Sequence, residues 1–255
     1  MKDGFIRVAA ATPDIHVADP QYNSEQIIEL MEQGSTRGVK VMAFPELCLT
    51  AYTCSDLFLQ ESLLREAKKE LKRILQASKS KDMILFVGMP WMHKGKLYNV
   101  AAVLNRGRIL GIVPKKHLPN YSEFYELRHF NPGMEKVEMT DWEGVQVPMG
   151  MNLLFACRTM LELVLAAELC EDVWVPCPPS ISHALAGATV IANCSASDET
   201  TGKDQYRYNL ICGQSARLVC GYIYANAGEG ESSQDLVFGG QNIIAENGTC
   251  LVQSD

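Results

Sequence analysis

The chain contains 255 residues, of which 47% are hydrophobic and 21% are charged, and its formal net charge is −7 at pH 7. This is the composition of an ordinary globular protein, and the length allows one large domain or two small ones. The acidic balance argues against a nucleic-acid or anionic-membrane partner, because both need a basic face. No apolar segment reaches the roughly 18 residues of a membrane span, and the apolar stretch near Met1 is too short for a secretory signal. We therefore expect a cytoplasmic protein with no membrane partner.

Nine cysteines, an odd number, are spread along the chain, and no two of them form a C-x-x-C pair. Zinc ribbons and thioredoxin-like redox sites therefore lack their spacing signal, and we predict no metal site. Most of these cysteines lie in apolar segments, where reduced thiols act as small hydrophobic groups. Cys170 is the exception, because two acidic residues follow it directly.

Strand and helix patterns alternate through the first part of the chain. The predicted elements are a strand over 5–12, a helix over 23–39, a strand over 40–47, a helix over 55–81 and a strand over 82–91. Both helices are predicted from the spacing of their apolar residues. Asn23 or Ser24 is the expected N-cap of the first helix and Ser55 or Asp56 that of the second, because short polar side chains accept hydrogen bonds from free amide groups.

The second part of the chain adds hairpins to this alternation. The predicted elements are a hairpin over 96–115 turning at 105–107, a strand over 189–197, a helix over 204–220, a strand over 221–227 and a hairpin over 241–253 turning at 247–248. Tight hairpins join antiparallel strands, whereas strand–helix–strand units form parallel ones, so mixed sheets are expected. We predict a layered α/β sandwich forming a single domain over 1–255. A Rossmann fold is excluded because no G-x-G-x-x-G follows the first strand.

Three stretches place reactive side chains just after predicted strands, where α/β folds position their sites. Glu46 follows the second strand, Lys115 and Lys116 follow the first hairpin, and Cys170 ends the apolar run "LVLAAEL". A thiol needs a nearby base or positive charge to become a nucleophilic thiolate. A lysine can stabilise a developing oxyanion, and a glutamate can move the proton from the thiol to a leaving amine. The set is compatible with a cysteine amidohydrolase.

Other interpretations of the same residues remain open at this point. His117 or His129 can pair with Cys170 in a Cys/His dyad, since both lie in a segment rich in polar side chains; we favour an anchoring hydrogen bond for His117. Glu46 can simply cap a loop, Lys115 can be an ordinary solvated surface lysine, and Cys170 can be a core thiol.

The stretches "FPEL", "PKKHLP" and "ELCEDVW", with Glu46, Lys115 and Cys170, resemble the three catalytic blocks of the nitrilase (carbon-nitrogen hydrolase) superfamily, in that family's order. The similarity is closest to one branch, the glutaminase domains of glutamine-dependent NAD synthetases. The segments that resemble this branch are "AYTCSDLF", "LPNYSEFYELRHF", "NCSASDETTGK", "QSARLVCGYIYANAGEGE" and "DLVFGG". The resemblance covers essentially the whole chain and implies a four-layer α-β-β-α sandwich with mixed sheets.

The resemblance implies an acyl transfer from the side-chain amide of L-glutamine. Cys170 would attack the amide carbon and form a glutamyl thioester, with Glu46 as general base and then proton donor to ammonia. Lys115, rather than Lys116, would stabilise the oxyanion, because the family's lysine directly follows the proline. The backbone N–H of Glu171 would be a second donor, and Glu126 matches the additional glutamate that orients the lysine.

The resemblance also implies a set of substrate-binding residues. Tyr121 and Phe124 would line the glutamine pocket, and Glu171 would face the substrate. Ser197 lies in the "SAS" segment associated with the amino and carboxylate ends of glutamine. Lys203 would add positive charge at that end.

Two positions depart from the branch pattern, and so does the length. The branch usually has glycine where Ala51 stands and aspartate where Gly239 stands; a glycine at the first position would allow φ > 0.

The "SGGxDS" loop of an ATP-dependent synthetase domain is absent from the sequence. We therefore expect a slightly C-terminally truncated glutaminase half with no cofactor of its own, whereas ATP, Mg and deamido-NAD would bind the missing synthetase domain. A homo-oligomer is expected, as in the superfamily.

Two alternatives compete with this expectation. The first is a free-standing amidase or carbamoylase of the same superfamily acting on another small amide; the segment "LPNYSEFYELRHF" distinguishes the two, because a simple amidase normally differs there. The second is a non-catalytic interaction module with the same fold. The joint presence of Glu46, Lys115 and Cys170 argues against the second alternative.

Overall fold

The structure, a computed structural model, describes residues 4–233 and 235–254. In those ranges the α-helices are α1 (Pro20–Thr36), α2 (Glu61–Ser78), α3 (Pro179–Leu185) and α4 (Lys203–Leu218). Short 3₁₀ helices cover Tyr52–Leu59, Glu126–Arg128 and Cys170–Val173. Within the described part of the chain, no helix is both long and apolar enough to cross a membrane.

The first sheet is seven-stranded and mixed. Its strands are β1 (Val8–Ala10), β2 (Val41–Ala43), β3 (Ile84–His93), β4 (Lys96–Asn105), β5 (Arg108–Pro114), β6 (Glu138–Trp142) and β7 (Val145–Met149), in the order β1-β2-β3-β4-β5-β7-β6. The pairs β1–β2, β2–β3 and β5–β7 are parallel, and β3–β4, β4–β5 and β6–β7 are antiparallel. The longest ladder, between β3 and β4, forms the middle of this sheet.

The second sheet is six-stranded and also mixed. Its strands are β8 (Phe155–Ala156), β9 (Val164–Leu169), β10 (Val190–Ser195), β11 (Gly221–Asn226), β12 (Ile243–Glu246) and β13 (Thr249–Gln253), in the order β13-β12-β11-β10-β9-β8. The three central strands β9, β10 and β11 run parallel to one another. Their carboxyl ends therefore meet at one edge of the sheet, where Cys170 begins.

Alternate residues of each strand belong to different hydrophobic clusters, which shows that the molecule has four layers. Phe86 of β3 packs against β9 and β10 in the cluster between the sheets. Its neighbour Leu85 packs with α1 and α2 on the outer face of the first sheet. On the second sheet, Tyr222 packs under α4, whereas Ile223 faces the first sheet. The predicted α-β-β-α sandwich with mixed sheets is confirmed.

The start of α1 differs from the prediction. The helix begins at Pro20, and its N-cap is Asp19, whose carboxyl accepts a 3.1 Å hydrogen bond from an amide of the first turn. The predicted caps Asn23 and Ser24 were wrong, because both side chains are buried inside the helix. Asn23 instead bridges the N–H and C=O of His16, at 2.7 and 2.9 Å. The Asp-Pro pair was the overlooked start signal.

The predicted helix over 55–81 is two elements. A 3₁₀ segment, Tyr52–Leu59, contains Ser55 at a φ of +49°, and the regular helix α2 begins only at Glu61. The predicted caps Ser55 and Asp56 were therefore wrong. Asp56 forms a bidentate pair with Arg128, at 2.6 and 2.9 Å, and so connects this segment to the loop after β5.

Both predicted hairpins are present. Arg106 and Gly107 turn between β4 and β5 with φ of +47° and +79°, and Asn247 and Gly248 turn between β12 and β13 with φ of +48° and +87°. Two consecutive positive φ values are typical of the tight turn whose twist matches paired strands. Two further turns of this kind, at 94–95 between β3 and β4 and at 143–144 between β6 and β7, were not predicted.

Candidate active site

Glu46, Lys115 and Cys170 converge between the two sheets. Glu46 lies in the turn after β2, Lys115 directly follows β5, and Cys170 directly follows β9. Their exposed fractions are 0%, 0% and 5%. Three side chains that lie far apart in the sequence therefore share one buried site at the ends of three strands.

Gly88 of β3 lets the turn that contains Glu46 lie directly against the first sheet. A Cβ atom at Gly88 would lie 2.2 Å from the carbonyl oxygen of Pro45 and 2.4 Å from the amide nitrogen of Leu47. The Gly88 carbonyl oxygen also accepts a 3.2 Å hydrogen bond from the Leu49 amide. The position of Glu46 therefore depends on the absence of a side chain at this point.

The two oxygens of Glu46 have different partners. Oε1 accepts hydrogen bonds from Lys115 Nζ and Asn99 Nδ2, each at 2.6 Å, whereas Oε2 accepts one from the Ala196 amide at 3.1 Å. Burial raises the pKa of Glu46, whereas Lys115, Asn99 and the nearby Cys170 thiol lower it in part. In the described ranges the Ala196 amide is the donor to Oε2, so this oxygen keeps a free lone pair.

Glu126 is the second carboxyl that contacts the lysine. Its Oε1 accepts hydrogen bonds from Lys115 Nζ at 2.6 Å and from the Tyr52 hydroxyl at 2.8 Å. Burial raises the pKa of Glu126 to about 7; the charge of Lys115 opposes this shift and that of Glu46 adds to it. The sequence-predicted contact between Glu126 and the lysine is therefore present in the structure.

Lys115 is the only cation among the ion pairs of this cluster in the described ranges. Burial alone lowers the pKa of Lys115, but Glu126 and Glu46 together raise it well above its usual value. The side chain is therefore an ammonium group, with two of its N–H bonds directed to two different carboxyls. Lys115 carries one positive charge and pairs with two carboxyls. The cluster is therefore negative when both carboxyls are ionised and neutral when one of them is protonated.

Cys170 begins a 3₁₀ turn with an unusual backbone. Its φ is +40°, a left-handed value that is uncommon for a residue with a side chain. Burial raises the pKa of Cys170, the Glu46 carboxyl raises it further, and Lys115 lowers it. The resting thiol therefore keeps its proton and needs a base to become a nucleophile.

The histidines considered for a dyad have other partners. His129 Nε2 contacts Asp56 at 2.9 Å, and Glu46 and Lys115 are the charged groups with the largest effects on the pKa of the Cys170 thiol. The anchoring bond expected of His117 comes from its backbone N–H, which donates to Asp172 at 2.8 Å. In the described ranges, no group of three or more His, Cys, Asp and Glu side chains is arranged to hold a metal ion.

Tyr121, Phe124 and Glu171 lie on one side of the site. The Tyr121 hydroxyl donates to the Glu171 carboxyl, with O–O distances of 3.0 and 3.1 Å. The rings of Tyr121 and Phe124 meet edge to face at 5.9 Å. Phe124 is buried and Tyr121 is exposed, so the pair extends from the interior to the surface. Burial raises the pKa of Glu171, while Tyr121 lowers it.

Ser197 and Lys203 lie in and after the loop that follows β10. Ser197 is buried, and its amide donates a 2.8 Å hydrogen bond to Asn226 Oδ1. The Lys203 ammonium forms an ion pair with Asp198 and lies 5.4 Å from the centre of the Trp174 ring. The positive charge predicted at this end is therefore paired with a carboxyl.

Two buried residues of the site were missed in the sequence. Asn99 of β4 donates to both Glu46 and Glu126, at 2.6 and 3.4 Å. Asp172 accepts hydrogen bonds from the backbone on either side of the site. A polar residue inside the apolar run "LYNVAAVL" was a usable signal for Asn99, whereas the partners of Asp172 could not be read from its position.

The structure shows the backbone conformation at Ala51 and the space around Gly239, the two positions that depart from the branch pattern. Ala51 adopts a φ of +80° and a ψ of 151°, a conformation that suits glycine. A Cβ atom at Gly239 would lie 2.9 Å from Glu199 Oε2. Glu199 in turn contacts Arg207 at 3.1 Å, so its carboxylate occupies the space that an aspartate at 239 would need.

A cavity of about 140 Å³ lies beside Glu126. Its walls are largely apolar and include the buried side chains of Tyr52, Phe58, Phe124 and Phe130. Cys170 is not among its lining residues. The cavity therefore adjoins the carboxyl that contacts the lysine and not the thiol itself.

Comparison with known proteins relates this geometry to a family. Residues 7–255 match the model of the carbon-nitrogen hydrolase family. The chain is 42% identical over 252 residues to a glutamine-dependent NAD(+) synthetase of Mycobacterium leprae, covering 99% of this chain and 37% of that protein. A glutamine-dependent NAD(+) synthetase of Aquifex aeolicus is 31% identical, with coverages of 94% and 38%. The chain thus spans less than two fifths of the length of these relatives.

Solved structures give the same result for the fold. A glutamine-dependent NAD(+) synthetase from Cytophaga hutchinsonii superposes with a TM-score of 0.88 at 28% identity, covering 98% of this chain and 40% of that one. A nitrilase-superfamily amidase from Nesterenkonia superposes with a TM-score of 0.76 at 20% identity, with coverages of 98% and 86%, and supports the fold alone. The chain therefore belongs to the carbon-nitrogen hydrolase family.

Proposed function

We propose that this carbon-nitrogen hydrolase domain hydrolyses the side-chain amide of L-glutamine and supplies the ammonia for ATP-dependent synthesis of NAD from deamido-NAD. The main support is the buried Glu46–Lys115–Glu126 ion cluster, whose charges are near enough to shift the pKa of the Cys170 thiol. The 42% identity to a glutamine-dependent NAD(+) synthetase over 99% of the chain supports glutamine as the amide.

The first half of the reaction is acylation of Cys170. Glu46 removes the thiol proton through Oε2, the oxygen with a free lone pair, while the sulfur attacks the amide carbon. The carbonyl oxygen becomes an oxyanion, and the third N–H of Lys115 and the backbone N–H of Glu171 donate to it. Glu46 then gives its proton to the amide nitrogen, the C–N bond breaks, and ammonia leaves a glutamyl thioester.

The second half is hydrolysis of the thioester. Glu46 again acts as base and removes a proton from a water molecule that attacks the thioester carbon. Lys115 and the Glu171 N–H stabilise the second oxyanion. When the C–S bond breaks, the sulfur takes the proton from Glu46, and glutamate is released from a regenerated thiol. Glu126 keeps Lys115 in place through both steps, because it holds one of the three N–H bonds.

Substrate binding falls to the residues beside the site. We propose that Tyr121 and Phe124 enclose the glutamine side chain and that Glu171 faces the substrate. Ser197 and Lys203 would bind the amino-acid end. The hydrogen bond from Tyr121 to Glu171, the residue after Cys170, supports the first part of this assignment, because it brings the loop after β5 to the nucleophile. Ser197 lies in the loop after β10, and Lys203 begins α4 directly after that loop.

A partner domain is part of the proposal. The synthetase relatives are much longer than this chain, which matches about 37% of one of them. ATP, Mg²⁺ and deamido-NAD would bind the remaining synthetase portion, and the hydrolase domain would need no cofactor of its own. We also propose a homo-oligomer in the cytoplasm, in which the highly exposed apolar residues Leu185 and Val219 would be covered.

Ammonia release from a panel of amides tests the activity. Glutamine should be hydrolysed, with asparagine and short aliphatic amides much slower, and Cys170→Ala should abolish the reaction with the fold intact. Cys177→Ala is the matched control, because Cys177 is exposed and lies outside the site. Turnover of aliphatic amides without turnover of glutamine would instead indicate a free-standing amidase or carbamoylase.

Labelling with a glutamine-mimicking diazo-ketone tests the nucleophile separately. Such an electrophile should modify Cys170 alone among the nine cysteines, and the label should be absent in Cys170→Ala. Absent or indiscriminate labelling, together with no ammonia release, would point to a non-catalytic module that has kept only the fold.

A further inference from the structure

The unusual backbone of Cys170 needs something to hold it. A non-glycine residue at a φ of +40° persists only when its surroundings determine the conformation. In the proposed reaction this backbone aims the sulfur at the substrate and at Glu46. The contacts of the Cys170 backbone are therefore as relevant to catalysis as the contacts of its thiol.

A chain of three hydrogen bonds begins at the Cys170 backbone. The Cys170 amide donates to Asn193 Oδ1 at 3.1 Å, Asn193 Nδ2 donates to the Tyr222 hydroxyl at 3.1 Å, and that hydroxyl donates to Glu168 Oε1 at 2.5 Å. The two bonds of Asn193 have ordinary lengths, and the bond between Tyr222 and Glu168 is short. The chain thus connects the nucleophile to a carboxyl that plays no part in the proposed mechanism.

The direction of every proton in this chain is fixed. A backbone N–H can only donate, so the amide oxygen of Asn193 must face Cys170 and its NH₂ group must face Tyr222. The Tyr222 oxygen accepts from Asn193, and its own proton is donated to Glu168, the acceptor at 2.5 Å. All three donors point the same way, which strengthens each bond by mutual polarisation.

The chain is rigid because it is buried and anchored by regular structure. The exposed fractions of Glu168, Asn193 and Tyr222 are 1%, 0% and 0%. Glu168 and Asn193 are direct partners on the neighbouring parallel strands β9 and β10, and Tyr222 lies on the next strand, β11. Because these groups are shielded from solvent, breaking one hydrogen bond would leave a buried donor or acceptor unpaired.

The far end of the chain is fixed to the helices that cover the second sheet. Glu168 Oε2 accepts a 2.8 Å hydrogen bond from the Ser180 amide in the first turn of α3. The Ser180 hydroxyl accepts a 2.8 Å hydrogen bond from Gln214 of α4. Both oxygens of Glu168 therefore act as acceptors, as the direction of the chain requires.

We propose that Glu168, acting through Tyr222 and Asn193, is a positioning residue that holds Cys170 in the left-handed conformation needed for attack. The proposal rests on the proposed amide hydrolysis for its catalytic meaning. It has one direct consequence for the site: the Cys170 N–H is committed to Asn193. The oxyanion must then be bound by Lys115 and by the N–H of Glu171.

Tyr222→Phe is the most informative variant, because it removes one oxygen and breaks two links while keeping the ring. We expect kcat for glutamine to fall at least tenfold with KM within twofold, since the substrate contacts are untouched. Tyr98→Phe is the matched control: Tyr98 is also buried, but it lies in the first sheet, and its loss should leave kcat unchanged. A Tyr222→Phe protein that folds normally and keeps kcat within twofold of the parent overturns the proposal.

Alkylation separates this proposal from the proposed function. The rate of Cys170 modification by iodoacetamide, measured by peptide mass spectrometry with exposed Cys177 as internal reference, needs no glutamine turnover. A tenfold slower reaction at Cys170 in Tyr222→Phe supports the positioning role even if the parent protein releases no ammonia. An unchanged rate at Cys170 contradicts it even if the parent hydrolyses glutamine.

Two further measurements cover the case in which Tyr222→Phe does not fold. Glu168→Gln replaces one acceptor oxygen with an NH₂ donor, which would face either the Ser180 N–H or the Tyr222 hydroxyl, both of them donors. This variant should therefore also lower kcat without raising KM. In the parent protein, hydrogen exchange at the Cys170 amide should be strongly protected, because that N–H is buried and bonded. Rapid exchange of this amide, or full activity in a folded Glu168→Gln protein, contradicts the proposal.

Discussion

The backbone amide of His117 donates a 2.8 Å hydrogen bond to Oδ1 of Asp172, and this bond joins the loop after β5 to the turn after β9. The other carboxyl oxygen accepts hydrogen bonds from the amides of Leu169 at 3.1 Å and Lys116 at 3.3 Å. One buried side chain thus ties the segment of the proposed oxyanion-binding lysine to the segment of the proposed nucleophile.

Asp172→Asn should therefore damage both stability and activity. The new NH₂ group would face backbone N–H donors, leaving buried groups unpaired at a cost of about 1–3 kcal/mol. Loss of register between the two loops should lower kcat by up to about 100-fold, the effect of a misplacement of about 1 Å. Urea unfolding and glutamine hydrolysis measure the two effects, with exposed Asp14→Asn as control. Unchanged stability and kcat would show that the loops hold each other in place without this carboxyl.

The same variant should change the dependence of stability on pH. Burial raises the pKa of Asp172 to about 7 from its usual 3.8. Between these values the folded protein keeps a proton that the unfolded chain loses, so stability falls as the pH rises from about 4 to about 7. Unfolding free energies across this range should decline less steeply in Asp172→Asn than in the parent. An identical pH dependence of the unfolding free energy in the two proteins would contradict the raised pKa of Asp172.

Lys115→Met should be the most damaging change at the ion cluster. Loss of a positioned oxyanion donor costs about 10²–10³-fold in kcat. Two buried carboxyls would also lose their cation, which costs about 3–5 kcal/mol of stability, and the loss should grow as the pH rises and both must ionise. Lys116→Met is the matched control, since its backbone bond to Asp172 survives. Equal effects of the two substitutions would contradict the choice of Lys115.

Glu126→Gln should separate stability from catalysis. The pKa of Glu126 is raised by burial from 4.5 to about 7, so this group makes stability fall as the pH rises through that window. The glutamine side chain does not ionise, so the variant should be at least as stable as the parent at pH 8. Its kcat should be lower, because Lys115 loses a charged partner. Calorimetry and initial rates measure the two, with exposed Glu135→Gln as control. A less stable variant with full activity would refute both halves.

Ala51→Gly should stabilise the protein. Ala51 is held at a φ of +80° and a ψ of 151°, where a side chain costs on the order of 1–3 kcal/mol. The greater freedom of glycine in the unfolded chain offsets about 0.5–1 kcal/mol of the gain, so a rise in Tm of a few degrees is expected. Ala77→Gly, in the regular helix α2, should have the opposite effect. A fall in Tm for both variants would contradict the strain at Ala51.

Much of the fold was predictable because it depends on local patterns. Two hairpins followed from the turn signals at 106–107 and 247–248, because Gly107, Asn247 and Gly248 tolerate positive φ, and both turn as predicted. The four layers followed from the resemblance to the nitrilase superfamily. The helix starts were less predictable, because several short polar residues competed at each one and Asp19 was the cap in α1.

The site was predictable in part, for a physical reason. Glu46, Lys115 and Cys170 each follow a strand, a position where α/β folds place functional side chains. Glu46 and Lys115 belong to the first sheet and Cys170 to the second, so their convergence depends on how the two sheets pack against each other. Asn99 and Tyr222 lie within strands, so their contacts depend on which strands are neighbours and in which register they pair. A single sequence does not contain that information, and these partners became visible only in the folded protein.

Gly88 limits which substitutions this protein can tolerate. Even a methyl group there would overlap the backbone on both sides of Glu46, since a Cβ atom would lie 2.2 Å from one neighbour and 2.4 Å from the other. Glu46, the proposed base, would be pushed away from the sulfur although none of the proposed reacting groups had been altered. In a saturation-mutagenesis screen for activity, one of the least replaceable positions should therefore be a residue with no side chain at all.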